Sequence, residues 1–374
     1  MLKGADTMHD RMDAPVKRIL HLHFGKEGGA ERFFVSLCKG FDGAGIEQRF
    51  LIRPGRTWRD QMIALGMVKE AHYPRFRPIR VLLQQWVNRQ IRDWMPDAVI
   101  AWMPKAATLL PRAVGPARLV RLGDYPRHIA HFDRADCIVT NTPDIPNRLK
   151  DLGWTKPVQV ISNFPRMGEV GGGAPQFDLP KDNFILCAAG RFVALKGFDT
   201  LIRAMAQVPN TALCLVGDGP ERGKLQTLAQ ELGVQNRVHM TGWVTDPTRW
   251  IAVADLACVS STHETLGNVV LEAWQVGGPV ISTPTPGPSW LIKDGETGIL
   301  VPDFTAESLA AGIRRAINAP DLRQRLVKCG AQKLATQFSK DAVVNAYVQL
   351  IAAYRGGYNE KQTPKRHHME SYRA

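Results

Sequence analysis

Short, almost continuous apolar runs alternate with segments of helical periodicity along most of the chain. Runs of this kind, four to seven residues long and rich in β-branched side chains, are typical of parallel strands covered on both faces. The first half contains Arg18–Phe24, Arg49–Arg53, Ala98–Met103, Arg118–Leu122, Cys137–Thr140 and Val158–Ser162. The second half contains Phe184–Ala188, Ala212–Val216, Val238–Thr241, Leu256–Ser260, Val280–Thr283 and Gly298–Val301.

The segments between these runs, such as Pro220–Leu232 and Ala306–Ile317, place apolar residues at helical spacing. Strand–helix alternation through both halves predicts two Rossmann-like, doubly wound α/β domains, for which 374 residues suffice. We expect an N-terminal domain over residues 1–165, a Gly-rich linker at 166–176, a C-terminal domain over 177–338, a helix at 339–356 that packs back on the N-terminal domain, and a loose basic tail at 357–374. Two such sheets facing each other predict a ligand site in the cleft between them.

The charge is concentrated in the first half of the chain. The whole sequence has 48 basic and 35 acidic residues, a net charge of +13, and residues 1–165 hold 26 of the basic and 16 of the acidic ones. The stretch Arg49–Arg92 is the most basic, and aromatic residues are interleaved with its arginines. Such a surface suits an anionic membrane, a phosphorylated acceptor or a nucleic acid. A solvated basic face with inward-pointing aromatics is the alternative.

Several classes of protein are disfavoured by the sequence. The six cysteines form no C-x-x-C pair, which argues against a disulfide framework and a zinc site. The first fifteen residues are polar, and no apolar run approaches the ~18 residues that span a bilayer. We therefore expect a cytoplasmic protein with reduced thiols.

Two loops in the second half could bind phosphate. The run Gly190–Phe198 follows a strand, precedes a helix and carries Arg191 and Lys196, which offer a planar fork and a point charge. The turn Gly217–Glu221 also follows a strand, although neither G-x-G-x-x-G nor a Walker A sequence is present. Charges that solvate a loop and a purely structural turn are the alternatives.

Two glutamates flank a predicted helix start in the run Ser260–Trp274. If the helix begins near Gly267, Glu264 lies at its N-terminal end and Glu272 about one turn inside. Carboxylates accept hydrogen bonds from sugar hydroxyls, and free helix N–H groups face polar or anionic groups. The alternative is one glutamate favoured by the helix dipole and one exposed glutamate, although the apolar neighbours of Glu272 disfavour a carboxylate without a partner.

These motifs together resemble the nucleotide-sugar half of glycosyltransferase family 4, a retaining family of GT-B fold. The matching runs are G-R-F-V-x-x-K-G-F-D, G-D-G-P, T-G-W and E-T-L-G-N-V-V-L-E-A-W, in the family's order between Asn183 and Pro302. The first half agrees, since His23–Arg32 resembles the family's Gly-rich first loop and the helix start that follows it.

The resemblance implies a role for each matching residue. Arg191 and Lys196 would bind the donor diphosphate, and Glu272 the ribose hydroxyls. Glu264 would bind donor-sugar hydroxyls beside the backbone N–H groups of Thr265, Leu266, Gly267 and Asn268. Gly28 and Gly29 would let the first loop approach the phosphates, with Gly217, Gly242 and Val244 also in the donor site and the last two near the base.

The resemblance also implies a first-domain residue close to the anomeric carbon. Asp124, which follows a strand, is our candidate, and Lys105 is a second candidate for a sugar or acceptor contact. For both, a loop charge in water is the alternative. The sequence contains no Asp-x-Asp, so we expect Arg191, Lys196 and helix N-termini to stabilise the leaving diphosphate in place of a metal, and we expect no cofactor.

A looser resemblance to bacterial lipopolysaccharide-core transferases suggests the acceptor. It implies transfer of a hexose-type sugar from a UDP- or GDP-sugar to a lipid-linked or phosphorylated glycan, with peripheral binding to the anionic inner membrane through the basic N-terminal domain. A GT-B nucleotide-sugar epimerase, a non-catalytic sugar-binding protein and a basic nucleic-acid-binding protein are the alternatives. No recognisable nucleic-acid module supports the last, and we expect no nucleic acid as a partner.

Overall fold

The chain is organised as two compact units, each built on one parallel β-sheet. The computed structural model describes residues 14–25, 29–73, 77–112, 115–166 and 182–356. The first unit comprises Met1–Ser162 with Lys340–Ala374, and the second comprises Asn163–Ser339. Both sheets have the strand order of a doubly wound domain.

The first sheet has seven strands in the described residues. They are β1 (Arg18–His23), β2 (Glu47–Ile52), β3 (Gly66–Glu70), β4 (Ala98–Trp102), β5 (Ala117–Leu122), β6 (Cys137–Thr140) and β7 (Val158–Val160). Their order is β3-β2-β1-β4-β5-β6-β7, and every neighbouring pair is parallel. The order changes direction between β1 and β4, so the crevice at the carboxyl ends of these two strands is the expected ligand position in this unit.

Five helices connect these strands within the part of the first unit that the structure describes. They are α1 (Gly29–Gly43), α2 (Arg59–Ile63), α3 (Arg77–Trp94), α4 (Met103–Ala107) and α5 (Asp144–Asp151). One buried cluster joins Leu83 and Val87 of α3 to Leu20 and Leu22 of β1, together with side chains from β4, β5 and β6. Burial of this apolar face explains why α3 forms despite its four arginines.

The second sheet has six described strands. They are β8 (Phe184–Ala189), β9 (Thr211–Val216), β10 (Val238–Met240), β11 (Leu256–Val259), β12 (Val280–Ser282) and β13 (Ile299–Leu300). Their order is β10-β9-β8-β11-β12-β13, again all parallel. Its switch point lies between β8 and β11, so the loops after these two strands meet at one edge.

The helices of the second unit follow the same alternation. They are α6 (Phe198–Ala206), α7 (Arg222–Glu231), α8 (Thr248–Ala252), α9 (Asn268–Gln275), α10 (Pro286–Leu291), α11 (Ala306–Asn318) and α12 (Pro320–Gln337), with 3₁₀ turns at Ala194–Lys196 and Gln235–Arg237. Leu201 and Ile202 of α6 pack with Ile313 of α11 on the buried side chains of β8 and β9.

A last helix, α13 (Lys340–Tyr354), belongs to the first unit although the chain reaches it from the second. It packs on α1 and β5, and the ring of its buried Tyr347 meets Phe41 edge-on with centroids 5.9 Å apart. Beyond the helix, Arg355 Nη1 donates to Asp97 Oδ1 at 3.1 Å, and Asp97 Oδ2 accepts from the Arg18 backbone N–H at 3.0 Å. Asp97 thereby links the end of the described chain to the start of β1 by hydrogen bonds.

The boundary between the units lies before the predicted linker. Asn163 Nδ2 donates to Asn268 Oδ1 at 2.9 Å, and Arg166 Nη1 donates to the Thr245 carbonyl at 2.9 Å. These bonds hold residues 163–166 to the second unit, so the first unit ends at Ser162 rather than at residue 165. Residues 167–176 of the predicted linker and the predicted tail at 357–374 lie outside the described residues.

The basic stretch Arg49–Arg92 differs from the prediction in two respects. It contains the edge strand β3, which carries no apolar run because it pairs with β2 alone and is half-exposed. Its aromatic side chains Phe50 and Trp58 are buried, so they face the core rather than a partner. Among the residues that the structure describes, no helix is both long enough and apolar enough to cross a bilayer.

Candidate active site

The loop after β8 carries the two predicted phosphate-binding cations. Arg191 is exposed, and its side chain makes no hydrogen bond or ion pair with another described residue. Lys196 ends the 3₁₀ turn that precedes α6 and is half-buried. Its Nζ lies 2.5 Å from Glu264 Oε2. The pair therefore joins the loops that follow β8 and β11, the two strands at the switch point.

Backbone contacts fix the loop after β8 against the loop after β11. Ser260 Oγ donates to the Lys196 carbonyl at 2.9 Å, and the Thr262 N–H donates to the Leu195 carbonyl at 2.9 Å. Gly197 has φ +59°, and a Cβ there would lie 2.2 Å from the Ser260 carbonyl oxygen. Only glycine fits this close approach in a left-handed conformation.

Glu264 lies just before α9, as the sequence predicts. Gly267, with φ +83°, precedes the helix, and Glu272 is the fifth residue of α9 and half-buried. Ser261 Oγ donates to Glu264 Oε2 at 3.2 Å, so the Glu264 carboxylate holds both the serine and Lys196. The two predicted glutamates thus occupy the start and the first turns of one helix, beside the cationic loop.

The turn after β9 is paired with the turn after β10. Gly217 and Gly242 form a β-bridge, and the Gly217 N–H donates to Thr241 Oγ1 at 3.4 Å. Val244 beyond them is half-buried, whereas Trp243 is 60% exposed. Trp243 is the most exposed of the nine tryptophans, all of which the structure describes. Gly217 and Gly242 are therefore brought together, with Val244 two residues further on, after the neighbouring strands β9 and β10.

The first-unit predictions are placed at the carboxyl edge of their own sheet. Asp124 follows β5, is exposed, and accepts a hydrogen bond from the Tyr125 N–H at 2.8 Å. Lys105 lies in α4, directly after β4, and is exposed. Gly29 is the first residue of α1, and Gly28 lies outside the described residues.

Two features of the same edge were not predicted. Met103, at the end of β4, has φ +69°, a strained conformation for a residue with a side chain, and its Cε would lie 2.3 Å from a Cβ added at Gly25. His23, at the end of β1, is buried, and its Nδ1 accepts from the Gly25 N–H at 3.2 Å. Burial lowers the pKa of His23 to about 3, so the ring is neutral at physiological pH. No local sequence signal marks either feature, because both depend on tertiary packing.

The arrangement in the second unit suits a phosphorylated, hydroxyl-bearing ligand. A free guanidinium, an ammonium and the N-terminus of α9 can all meet anionic oxygens, while carboxylates can accept from hydroxyl groups. The described residues contain no group of three or more His, Cys, Asp or Glu side chains placed to hold a metal ion.

Comparisons with known proteins agree with this chemistry. Residues 174–333 match the family model of the glycosyl transferases group 1. The chain is 43% identical over 337 residues to the lipopolysaccharide core biosynthesis glycosyltransferase LpsE of Rhizobium meliloti (strain 1021), an alignment that covers 90% of this chain and 99% of the relative. It is 41% identical to LpsD of the same organism, with 89% and 98% covered.

Solved structures share the fold of the whole described chain. A glycosyltransferase from Rickettsia africae ESF-5 gives a TM-score of 0.81 at 17% identity, covering 90% of this chain and 98% of that one. Anabaena Alr3699/HepE in complex with UDP and glucose gives 0.73 at 19% identity, covering 90% and 99%. The predicted fold class, GT-B with two Rossmann-like domains, is confirmed.

Proposed function

Because the chain belongs to the glycosyl transferases group 1 family, we propose that it transfers a hexose-type sugar from a UDP- or GDP-sugar to a lipopolysaccharide-core acceptor. We propose further that the transfer retains the anomeric configuration and needs no metal. The LpsE and LpsD relatives support the acceptor class, since they are lipopolysaccharide core biosynthesis glycosyltransferases. UDP is the first donor nucleotide to test, because HepE has been solved with UDP and glucose.

The departing diphosphate is the group that the cations would stabilise. Negative charge grows on this leaving group as the glycosidic bond to the donor sugar breaks. Arg191 can offer a two-pronged hydrogen bond to it, and Lys196 a compact charge. Such preorganised cations act most strongly where charge develops in the transition state, which is the role that a metal plays in other transferases.

The remaining donor contacts that we propose are those implied by the family resemblance, around α9 and in the turns after β9 and β10. Glu264 would hold hydroxyls of the donor sugar, and Glu272 the ribose hydroxyls. The N–H groups of Thr265, Leu266, Gly267 and Asn268 would face polar groups of the donor at the helix start. Gly217, Gly242 and Val244 would lie along the nucleoside, where glycines permit close approach of the backbone.

The first unit would serve the acceptor. We propose Asp124 as the polar support beside the anomeric carbon and Lys105 as an acceptor contact, each from a loop at the carboxyl edge of its sheet. The outer face of α3 supports peripheral binding to an anionic membrane, because Val81 and Leu82 are 53% and 62% exposed and Arg89 and Arg92 follow on the same helix.

The Lys196–Glu264 pair beside the exposed Arg191 is the observation that carries the proposal. Thermal unfolding with UDP, GDP and ADP tests the donor site, since a ligand at 100 times its Kd adds about 2.7 kcal/mol of stability. A labelled UDP- or GDP-sugar is then offered with a lipopolysaccharide-core acceptor in EDTA, and NMR of the product reads the anomeric configuration. Steeply salt-dependent DNA binding, with no stabilisation by any nucleotide, would contradict the proposed transferase function. Sugar transfer that stops in EDTA would contradict the proposal that no metal is needed.

A further inference from the structure

Cationic and imidazole side chains lie together on one surface of the first unit, and none of them was assigned to the donor site above. They come from α3, from the segment after α4 and from the loop that joins β5 to β6. We name this set the histidine–arginine cluster: Arg80, Arg112, His128, His131 and Arg134.

Arg134 ties the three segments together. Its Nη1 donates to Gln84 Oε1 at 3.0 Å and to the Leu110 carbonyl at 2.9 Å. Gln84 lies one helical turn after Arg80, so the two share a face of α3. Arg112 follows Leu110 by two residues. The hydrogen bonds of Arg134 therefore draw the segments of Arg80 and Arg112 towards the β5–β6 loop.

The two histidines complete the cluster on that loop. Their ring centroids are 4.8 Å apart, and His131 Nδ1 is shielded from solvent without a hydrogen-bond partner among the described residues. Burial, together with the charges of His128 and Arg80, lowers the pKa of His131. Asp133 is the acidic neighbour that opposes this effect, while Lys156 Nζ adds a cation beside the Asp133 carbonyl. Positive charge thus exceeds negative charge here.

Like charges held together destabilise a fold, and a shielded ring nitrogen without a partner adds to that cost. An oxyanion would relieve both, since guanidinium forks and imidazole N–H groups donate to phosphate or carboxylate oxygens. We propose that the histidine–arginine cluster binds an anionic group, phosphate or carboxylate, of the glycan acceptor. This proposal rests on the proposed transferase function. The loop that carries the histidines begins beside Asp124 at the carboxyl edge of the sheet, which places the cluster on a path to the proposed acceptor end.

A charge-matched pair of double variants tests the cluster. R80Q with R112Q removes two cations from it, whereas R148Q with K150Q removes two exposed cations of α5 in the same unit. With lipopolysaccharide-core acceptor, the cluster variant should raise the acceptor KM about tenfold or more and leave the donor KM unchanged. The control variant should keep the wild-type acceptor KM. Equal acceptor KM values for the two variants overturn the proposal.

The chemistry of the acceptor supplies a second readout. Removal of phosphate groups with hydrofluoric acid, or reduction of carboxyl groups, identifies the anion that is bound. When the acceptor lacks this anionic group, wild type and cluster variant should show the same acceptor KM. If the acceptor KM of the cluster variant still differs from that of wild type after both treatments, the proposal is overturned. So does a cluster variant that loses binding to phosphatidylglycerol vesicles with its acceptor KM unchanged, since the ligand is then a lipid headgroup.

Histidine NMR separates failure of the cluster from failure of the transferase function. Titration of the full chain with inorganic pyrophosphate should shift the imidazole signals of His128 and His131 and raise the pKa of His131. The R80Q–R112Q variant should lose this response and keep its affinity for UDP. If the histidine signals respond but no sugar is transferred, the anion site is supported and the proposed function is overturned. Sugar transfer with silent histidines and an unchanged acceptor KM overturns the anion site alone.

Discussion

At the scale of single residues, Lys196 and Glu264 form an ion pair, so the diphosphate of the proposed donor would have to compete with a carboxylate for the lysine. The two side chains are 26% and 19% exposed, and each charge is therefore partly desolvated. Lys196→Met removes the cation and leaves Glu264 without its partner, so we expect UDP affinity to fall about tenfold or more and sugar transfer to fall further. Calorimetric titration with UDP and a turnover assay measure the two effects.

Lys224→Met is the matched control for this variant, since Lys224 is 77% exposed and pairs with Glu221 on the surface. It should bind UDP like wild type. If both lysine variants lose affinity equally, net charge rather than the site determines binding.

The meeting of Lys196 with Glu264 could be predicted from the sequence in part, because both follow parallel strands of one sheet. The ion pair itself could not, since it depends on the left-handed turn at Gly197 and on its approach to Ser260.

At the scale of elements, strand β1 buries two histidines that must stay neutral. His21 Nε2 donates a hydrogen bond to Gln48 Oε1 at 3.2 Å, and burial lowers the pKa values of both His21 and His23 to about 3. In the unfolded chain these groups titrate near 6.5, so the unfolded state binds more protons at lower pH. Their contribution to stability is complete above pH 6.5 and is lost progressively as the pH falls towards 3.

We therefore expect thermal unfolding of the first unit to shift down by several degrees between pH 7.5 and pH 5.5. Each histidine contributes about 1.4 kcal/mol to that loss. His23→Phe should reduce that loss by about 1.4 kcal/mol, because one titrating group is gone and the ring can still stack on Phe34. The exposed His72 changed to Gln should leave the pH dependence unaltered. If thermal unfolding of the wild type did not change between pH 7.5 and pH 5.5, the two rings would take up protons in the folded state as readily as in the unfolded chain.

At the scale of the whole molecule, the alternation of apolar runs predicts every described strand of both sheets except β3. Buried parallel strands such as β4 are apolar on both faces, which makes them visible in sequence. The edge strand β3 was missed because it has one neighbour and a half-exposed surface. The loops that carry Asp124 and Glu264 could be placed after their strands, whereas the left-handed conformation of Met103 could not, because no glycine or other turn residue marks it in the sequence.

Because α13 packs on the first unit, the stability of that unit depends on the last described helix. Tyr347 is fully buried against Phe41, and α13 packs on β5. Tyr347→Ala should lower the free energy of unfolding of the first unit by about 3–5 kcal/mol, the cost of removing a large buried ring. Hydrogen exchange should then show faster exchange in Ala117–Leu122, with unchanged protection in Phe184–Ala189 of the second unit.

Asn345→Ala, at an exposed position of the same helix, is the control and should change stability by less than about 0.5 kcal/mol. Because Arg191, Lys196, Glu264 and Glu272 of the proposed donor site belong to the second unit, the Tyr347→Ala variant should still bind UDP with wild-type affinity while sugar transfer declines with the population of folded first unit. Equal loss of protection in both units would contradict the division at Ser162 and Lys340. It would mean that the two sheets unfold as one cooperative body, and that α13 stabilises the donor site as well.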